Sequence, residues 1–278
     1  MTEIAAFDPG LHLGGIFIYP VKSCAALALQ TADVENLGLA HDRRWMLVAA
    51  ESGLFITGRE CPELVLLNAT VSGAGLELSA SAPRPLPAFN ASFTDKRRQV
   101  RIWADNVIAT TADAATNQAL SSWLGRNVEL AYFDARSQRQ LDQKYATAGD
   151  ETAFSDGFPI LLISQASLDA LNTRLSAPIS MRRFRPNLVI NGAIAAHTED
   201  SWQRVQIGGA IFDVVKPCVR CVFTTVDAEL GIRDPSGEPL NTLKSYRRTS
   251  KGITFGMDLI ARSPGTVVNV GDAVRVLA

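Results

Sequence analysis

The segment VVKPCVRCVFTTVD, from Val214 to Asp227, decides how the rest of the sequence is interpreted. It contains two of the chain's four cysteines, Cys218 and Cys221, in a C-x-x-C pattern with an arginine between them. Its valine, phenylalanine and threonine content favours β-structure. On a regular strand, side chains three residues apart point to opposite faces. The two cysteines therefore share one ion only if a turn separates them, and Pro217 is a candidate to begin that turn.

The spacing of this cysteine pair also bears on three other uses. A structural zinc site needs four ligands, mostly cysteine and histidine. The histidines are not spaced as a partner pair; they are His12, His41 and His197. A redox-active dithiol usually opens a helix after a strand, whereas the following VFTTV favours a strand. Two cysteines at this spacing are also common as small, buried apolar residues.

A single thiolate is favoured by the charges close to Cys221. Arg220 precedes it directly, and Lys216 lies nearby in the sequence. Positive charge favours the thiolate over the thiol, and a thiolate acts as a nucleophile or as a ligand for soft metals. The residues alone leave the alternatives open, with Cys221 as the stronger candidate of the two thiols.

The composition excludes several classes of protein. With 278 residues, of which 47% are hydrophobic and 20% charged, the chain can bury a core without disulfides or metals. A net charge of −1 provides no strong field for nucleic acid or an anionic membrane, so we expect neither as a partner. Four cysteines are too few for a secreted disulfide framework. The N-terminus lacks the basic region of a signal peptide, and no apolar run could span a bilayer, so we expect a cytoplasmic protein.

Short runs rich in Val, Ile, Phe and Thr dominate the chain and predict a mainly β fold. Two helices are expected: TTADAATNQALSSWLG, with threonine at its head and Gly125 at its end, and SQASLDALNTRL, with Ser164 as its N-cap. The polar segment ARSQRQLDQKYATAGDETAFSDG is predicted to be a loop or partly mobile link between two β domains. The strand candidates include GGIFIYPVK, RRWMLVAA, LVLLNATV, RQVRIWAD, VELAYFD, PNLVING, RVQIGGAIFDVV and GDAVRVLA.

Several segments, in the same order, resemble one known family. They are IYPVKSCAALAL, LGLAHDRRWMLV, FSDGFPILLISQASLDALN, FRPNLVINGAIAAHTEDSWQRVQIG, KPCVRCVFTTVD, LNTLKSYRR and GDAVRVL. From about Leu13 to Leu277, the chain is similar to the MOSC family, named after the C-terminal domain of molybdenum cofactor sulfurases. Within that family it resembles bacterial reductases of N-hydroxylated compounds and the mitochondrial amidoxime-reducing component.

The resemblance implies a mainly β protein with some α-structure, of the α+β class. An N-terminal MOSC-type β-barrel domain is expected over residues 12–130. A C-terminal MOSC β-barrel domain with a few peripheral helices is expected over residues 131–278. Closure into barrels is also the usual way in which β-sheets remove their exposed edges.

The resemblance further implies a molybdenum cofactor, whose organic part is a pterin with a dithiolene and a phosphate. Cys221 matches the family cysteine that binds molybdenum, and Cys218 matches one that does not. Arginine forks and a lysine charge suit the phosphate. Arg59, in the family-like stretch FITGRE, is not included in the predicted site, and Val219 stands where relatives often carry serine. The predicted cofactor contacts besides Cys221 are Lys22, Ser23, Arg43, Asp156, Gly157, Arg185, Asn187, Val219 and Arg220.

The activity implied by the resemblance is reduction of N-hydroxylated substrates, such as hydroxylamines, amidoximes and N-hydroxylated nucleobases, to amines or amidines. The four cysteines leave none for an iron–sulfur cluster, so a separate ferredoxin, cytochrome or flavoprotein reductase is expected to supply electrons. Relatives suggest a monomer. One alternative is a carrier of molybdenum cofactor, or of persulfide sulfur on Cys221, without reductase activity. A zinc-bound or metal-free β protein is the third hypothesis.

Overall fold

The computed structural model describes residues 10–73 and 75–278. Residues 1–9, on which the signal-peptide prediction partly rests, lie outside the described residues. The first half of the described chain is built mainly from strands. They are β1 (His12–Ile18), β2 (Leu27–Leu29), β3 (Thr31–Glu35), β4 (Gly38–Leu39), β5 (Trp45–Ala49), β6 (Asn68–Ser72), β7 (Gly75–Ala80), β8 (Leu86–Ala91), β9 (Phe93–Ile102), β10 (Asp105–Ala112) and β11 (Val128–Tyr132).

The second half combines strands with short helices. Its strands are β12 (Ile160–Ser164), β13 (Leu188–Asn191), β14 (Arg204–Ile207), β15 (Ala210–Val219), β16 (Arg248–Thr249), β17 (Gly252–Ala261), β18 (Val267–Asn269) and β19 (Val274–Val276). The α-helices of the whole described chain are α1 (Ala114–Leu124), α2 (Gln165–Asn172) and α3 (Leu240–Tyr246), and 3-10 helices span Pro62–Leu66, Met181–Phe184, Thr198–Ser201 and Val222–Thr225. Across residues 10–73 and 75–278, no helix combines the length and the apolar character that crossing a membrane requires.

The largest sheet runs across both halves of the chain. Its strand order is β19-β14-β15-β17-β12-β13-β1-β2, with β16 beside β17. Within it β12 and β13 are parallel, and β1 pairs with β13 antiparallel, with Ile16 opposite Leu188. The smaller sheets have the orders β5-β11-β10-β9, β18-β3-β4 and β6-β7-β8. The prediction of a mainly β fold with a few helices is confirmed; the domain boundary at residue 130 stays a prediction, and the large sheet crosses it.

The strand β5 illustrates how the apolar pattern builds the core. Its first four residues, WMLV, are all buried. Leu47 packs into one hydrophobic cluster, whereas Met46 and Val48 pack into another. Because successive side chains on a strand point to opposite faces, a continuous apolar run is required where both faces are covered. The apolar run of β12 is divided in the same way, with Leu162 in the core of the large sheet and Ile163 in a separate cluster.

Both predicted helices are confirmed, with one correction at a terminus. The Ser164 side chain caps α2 by accepting a hydrogen bond from the backbone nitrogen of Ser167. Gly125 ends α1 in the left-handed conformation, with φ of 72°. The head of α1 is capped by Asp113, which accepts from the backbone nitrogen of Thr116, and not by a threonine. The third helix, α3, lies in PLNTLKSYRR and was not predicted.

The strand predicted at VFTTV is wrong, because Val222–Thr225 forms a 3-10 helix. The hydroxyl of Thr224 donates to the carbonyl oxygen of Cys221 at 2.9 Å. The hydroxyl of Thr225 donates to the carbonyl oxygen of Val222 at 2.8 Å. Threonine side chains that bond backbone groups in this way offer an alternative to the strand ladder. The chain therefore leaves the sheet directly after β15 and turns at Cys221.

Two further segments refine the predictions. LVLLNATV was predicted as a strand, but its first residues belong to the 3-10 helix Pro62–Leu66, which has proline at its start. ARSQRQLDQKYATAGDETAFSDG contains no helix or named strand, as expected of a loop. Leu141 and Phe154 of this loop are buried. Arg139 donates to the carbonyl oxygen of Ser155 at 2.6 Å, which joins the two ends of the loop, and to Asp105 of β10 at 2.8 Å, which holds them against the fold.

Replacement of Leu162 by alanine tests the assignment of the central core. Leu162 is 0% exposed, whereas Leu230 is 56% exposed. Leu162→Ala should lower the free energy of unfolding by about 2–5 kcal/mol, because it leaves a cavity in the large sheet's core. The matched Leu230→Ala change should cost less than about 0.5 kcal/mol. Urea denaturation measures both, and equal losses would contradict the core assignment.

Candidate active site

An open cavity lies where the two halves of the chain meet. Its volume is about 1100 Å³, including the solvent at its mouth. Turns and strand ends form most of its wall, so side chains from distant parts of the sequence converge on it. The structure brings every residue of the predicted site to this cavity: Lys22, Ser23, Arg43, Asp156, Gly157, Arg185, Asn187, Val219, Arg220 and Cys221.

The backbone around the cavity is strained. Among residues 10–73 and 75–278, six non-glycine residues have φ in the left-handed region, and four of them line the cavity. This conformation is unfavourable for residues that carry a Cβ, and it persists where the surrounding structure holds it. Strain of this kind clusters at functional sites. The four residues are Ser23 (67°), Arg43 (49°), Trp103 (52°) and Arg185 (58°).

The two cysteines of the C-x-x-C motif have different environments. Cys218 lies in β15, packs beside a hydrophobic cluster and accepts a hydrogen bond from Arg220 Nη1 at 2.9 Å. Burial, with a further contribution from Asp258, raises the pKa of Cys218 to about 12, so it is a neutral thiol at physiological pH. Cys221 lies beyond the strand end, and its Sγ accepts a hydrogen bond from Arg59 Nε at 3.2 Å.

The expectation that the cysteines point to opposite faces assumed a regular strand, and that assumption is wrong. β15 shifts register twice against β17 and ends at Val219. As a result, Cys218 and Cys221 both line the cavity. The two sulfurs are distinguished by their hydrogen-bond partners rather than by the face of a sheet.

The cation beside Cys221 is also not the one expected from the sequence. The sequence predicts Arg220 beside that sulfur, but the Arg220 guanidinium contacts the other cysteine and the carbonyl oxygen of Phe184. Lys216 is paired with Asp258 at 2.9 Å. The guanidinium that reaches the Cys221 sulfur belongs to Arg59, which the sequence analysis left out.

Arg59 and Trp103 are site residues that the sequence analysis missed. The guanidinium carbon of Arg59 lies 4.4 Å from the centre of the Trp103 ring. The turn that carries Arg59 packs against the Phe223 ring because the preceding residue, Gly58, has no side chain. A Cβ at Gly58 would lie 2.2 Å from that ring and would clash with it. The available signals were weak: Arg59 stood in a family-like stretch, and Trp103 lay inside the predicted strand RQVRIWAD, which the structure divides at a turn after Ile102.

The aromatic ring of Tyr19 holds two of the predicted arginines. The guanidinium carbons of Arg43 and Arg185 lie 4.5 and 4.0 Å from the ring centre. Arg43 also donates to the carboxylate of Asp42 at 2.5 Å. Burial raises the pKa of Tyr19 to about 12, so its ring stays neutral and can make cation–π contacts. Tyr19 was not predicted, although it lies in the family-like segment IYPVKS.

The side chain of Asn187 positions Arg43. Asn187 is 1% exposed, and its Oδ1 accepts hydrogen bonds from Arg43 Nη1 and from the backbone nitrogen of Leu161, both at 3.1 Å. Its Nδ2 donates to the carbonyl oxygen of Phe17 at 3.1 Å. One amide thus ties the arginine to β1 and β12, the two elements that carry Phe17 and Leu161.

Lys22 and Asp156 form an ion pair at the cavity wall. Lys22 Nζ donates to Asp156 at 2.5 Å and to the carbonyl oxygen of Phe154 at 2.8 Å. Burial lowers the pKa of Lys22 to about 8, although Asp156 opposes this shift. Partial removal from water would raise the pKa of Asp156, but Lys22 and Arg59 outweigh it and hold that pKa well below its usual range. At neutral pH Lys22 is therefore largely protonated and Asp156 is a carboxylate.

The remaining predicted residues contribute little charge to the cavity. Ser23 is 7% exposed and holds a strained turn next to Lys22. At Gly157, an added Cβ would meet no atom within 4 Å, so the chain leaves open space there. Val219 is 45% exposed and supplies no hydroxyl to the cavity.

The cavity has a surplus of positive charge that suits an anion. Arg185 Nη2 and Arg220 Nε are buried without a hydrogen-bond partner among the described residues. Burial also lowers the pKa of Arg185 to about 10. Buried donors without partners are costly, and guanidinium groups bind phosphate well. The described cationic lining residues are Lys22, Arg43, Arg59, Arg183, Arg185, Lys216 and Arg220, against the carboxylates Asp156 and Asp258.

These residues fit a phosphate-bearing cofactor better than a protein-bound zinc ion. In the part of the chain that the structure describes, no group of three or more His, Cys, Asp or Glu side chains could hold a metal. The zinc hypothesis therefore has no ligand set there. Cys221 offers one sulfur beside a cationic cavity, which matches a metal whose further ligands belong to its own cofactor.

Two family models and several curated proteins match the chain. The model described as the MOSC N-terminal beta barrel domain matches residues 11–127, and the MOSC domain model matches residues 149–275. Mitochondrial amidoxime-reducing component 1 of Mus musculus is 36% identical over 280 residues, which cover 94% of this chain and 81% of that protein. The chain belongs to the MOSC family. The predicted order, an N-terminal barrel domain followed by a MOSC domain, is thereby confirmed.

Two other relatives of this MOSC protein show how far the similarity extends. Mitochondrial amidoxime-reducing component 1 of Homo sapiens is 34% identical, with 94% of this chain and 82% of that protein covered. Molybdenum cofactor sulfurase of Oryza sativa subsp. japonica is 29% identical, with 89% of this chain but 32% of that protein covered. The similarity to the amidoxime-reducing components thus extends over most of both chains.

Anion binding by this MOSC protein should depend on pH through Lys22. A lysine with a pKa of about 8 loses its charge as the pH rises through that value. Sulfate stays a dianion over this range and therefore reports on the protein alone. Its affinity for the cofactor-free protein should fall about three- to tenfold between about pH 7 and pH 9, below the pKa of about 10 of Arg185. Calorimetric titration at several pH values measures the change.

Two lysine variants distinguish the effect of Lys22 on the pH dependence of sulfate binding from the effect of the cavity's overall positive charge. Lys22→Met should weaken sulfate binding at neutral pH and remove most of its pH dependence. Burial would lower the pKa of Lys216, but Asp258 outweighs it and the pKa is raised, so Lys216 stays charged throughout the range. Lys216→Met should therefore lower the affinity and keep the pH dependence. An unchanged pH profile in Lys22→Met would contradict the assignment.

Proposed function

We propose that this protein is a molybdenum-cofactor-dependent oxidoreductase that reduces N-hydroxylated compounds. The observation that carries the proposal is the Cys221 sulfur in a cationic cavity whose wall includes all the predicted cofactor contacts. The similarity to two mitochondrial amidoxime-reducing components over 94% of the chain supports the same class of reaction. Fold alone would not justify the assignment, because one fold hosts many activities.

The chain's own residues would hold the cofactor by charge and by one sulfur ligand. Cys221 is the proposed molybdenum ligand, and Arg185 and Arg220 each have a buried nitrogen free to bind an anionic group. Lys22 adds a positive charge, although burial lowers its pKa to about 8. The guanidinium of Arg43 is held in place by the Tyr19 ring. When bound, the cofactor supplies the two-electron redox chemistry that protein side chains lack.

The proposed reaction balances with two electrons and two protons. An amidoxime accepts them, its N–O bond breaks, and the products are an amidine and water. Hydroxylamines and N-hydroxylated nucleobases would be reduced in the same way to amines. The protein's part is to orient the N–OH group beside Cys221 and to keep the flat remainder of the substrate within the cavity.

The electrons are proposed to come from a separate ferredoxin, cytochrome or flavoprotein reductase. The four cysteines form no disulfide. Cys24 and Cys61 are buried, and the other two line the cavity, so we propose that this chain carries no iron–sulfur cluster. A monomer in the reducing cytoplasm is part of the same proposal, because free thiols are typical of that compartment.

A carrier role is the second candidate. The similarity to a molybdenum cofactor sulfurase from Oryza sativa subsp. japonica, although it covers 32% of that protein, favours it. In this role the cavity would hold molybdenum cofactor, or Cys221 would hold a persulfide, without reduction of N–OH bonds. The carrier role and the reductase role use the same residues. They differ in that only the reductase would reduce an N-hydroxylated substrate repeatedly.

Turnover of an amidoxime decides between these two roles. Protein loaded with molybdenum cofactor would be incubated anaerobically with an artificial reductant and benzamidoxime, and benzamidine would be measured by chromatography. Formation of benzamidine over many turnovers supports the reductase. Loaded protein that forms none supports the carrier.

The two cysteines of the motif should differ sharply in a mutational test. Cys221→Ala removes the proposed metal ligand and should reduce benzamidoxime turnover by more than about 100-fold. Cys218→Ser is the matched control, because Cys218 is a neutral thiol beside a hydrophobic cluster, and it should keep most of the activity. Comparable losses in both variants would instead support a dithiol mechanism.

The cofactor clamp is tested by Arg185→Ala. The Arg185 side chain stacks on Tyr19, and its Nη2 lacks a partner among the described residues. Its removal should reduce pterin content per chain severalfold, because a charge-assisted hydrogen bond is worth about 1.5–3 kcal/mol. Arg182→Ala is the control, since Arg182 forms an exposed ion pair with Glu229. Equal pterin content in Arg185→Ala and the native protein would exclude the clamp.

A further inference from the structure

Trp103 occupies a position that is unfavourable for tryptophan. It is the first residue of the two-residue turn between β9 and β10, where Ile102 pairs with Asp105. Its φ is 52°, in the left-handed region. Such turns favour asparagine, aspartate and glycine, because a side chain with a bulky Cβ substituent is strained there. Strained backbone that is kept in a fold is characteristic of functional positions.

The contacts of Trp103 hold its ring at the cavity. Its Nε1 donates to Asp156 Oδ1 at 3.3 Å, and its ring meets Phe55 edge-on with 4.8 Å between centres. The guanidinium of Arg59 stacks on it at 4.4 Å, and the same guanidinium reaches the Cys221 sulfur. One arginine therefore separates the indole from the proposed metal ligand.

The indole remains open to the cavity although three groups position it. Trp103 is 39% exposed, and the Asp156 side chain is 61% exposed. A large aromatic surface of this kind, held rigidly next to a carboxylate, can bind a flat group that also carries N–H donors. The cationic cofactor clamp around Arg185 does not need this surface, because phosphate is bound by charge and hydrogen bonds.

We infer that Trp103 is a specificity-determining residue that selects substrates whose N-hydroxylated group is conjugated to a planar ring. The ring of the substrate stacks on the indole, and the amino group of an amidoxime donates to the exposed carboxylate of Asp156. The inference rests on the proposed function and adds a substrate class to it. Ringless N-hydroxylated compounds lose the stacking contact and are poorer substrates.

The kinetic test compares benzamidoxime with acetamidoxime, which has a methyl group in place of the ring. Trp103→Asn removes the indole and places in the turn a residue that tolerates left-handed φ, so the variant should fold. For benzamidoxime, KM should rise and kcat/KM should fall about tenfold, as expected when an aromatic stacking partner is lost. For acetamidoxime, kcat/KM should change less than about twofold. Trp103→Phe, which keeps a ring, should recover part of the loss.

A control on the same hairpin shows whether the loss of activity comes from lost stacking or from any removal of an exposed apolar side chain. Ile108 lies on β10, is 47% exposed and is outside the cavity lining. Ile108→Ala should leave both substrates unaffected. Equal loss for benzamidoxime and acetamidoxime in Trp103→Asn, or no loss for either, overturns the inference.

A binding measurement separates this inference from the proposed reaction. Calorimetry on the cofactor-loaded protein would compare benzamidine with acetamidine, neither of which can be reduced at an N–O bond. Benzamidine should bind more tightly, and Trp103→Asn should weaken it about tenfold while acetamidine is unaffected. If this pattern holds but no amidoxime is reduced, the role of Trp103 stands and the proposed reaction fails. If benzamidine does not bind, or binds Trp103→Asn equally well, the inference is wrong.

Discussion

Two guanidinium groups held against one tyrosine ring are the interaction on which the cavity depends. Arg43 and Arg185 both contact Tyr19, and both have left-handed backbones. Like charges so close together repel one another, so the fold must hold them by aromatic contact, by Asp42 and Asn187 and by backbone carbonyl groups. An anion that shares the cavity relieves this repulsion. The arrangement therefore makes sense as a preorganised site for a phosphate-bearing cofactor.

The site needs both halves of the chain. Cys221 comes from the C-terminal half, whereas Arg59 and Trp103 reach it from the N-terminal half. The large sheet joins the same halves through the pairing of β1 with β13. Strands of the large sheet and short strained turns together form the wall of the cavity. Cofactor chemistry and substrate selection can then be carried by different turns of one fold.

The sequence predicted the fold class well because apolar runs and helix caps are local signals. Ser164 and Gly125 marked helix ends correctly. The 3-10 helix after Cys221 was missed because threonine has a high strand propensity, whereas here the Thr224 hydroxyl bonds to the carbonyl oxygen of Cys221. The site residues are far apart in the sequence, so their convergence could be predicted only through family resemblance. The arginine that contacts Cys221 is determined by tertiary packing, above all by the close approach of Gly58 to Phe223. No local sequence pattern predicts this contact.

The central claim is that a single sulfur in a cationic cavity binds molybdenum through its pterin cofactor. The most direct measurement is the metal and pterin content of the protein purified from a host that makes this cofactor. The account predicts about one molybdenum and one pterin per chain, because one thiol ligand is offered beside one anion cavity. Zinc in place of molybdenum, or protein that carries neither metal nor pterin, would contradict it.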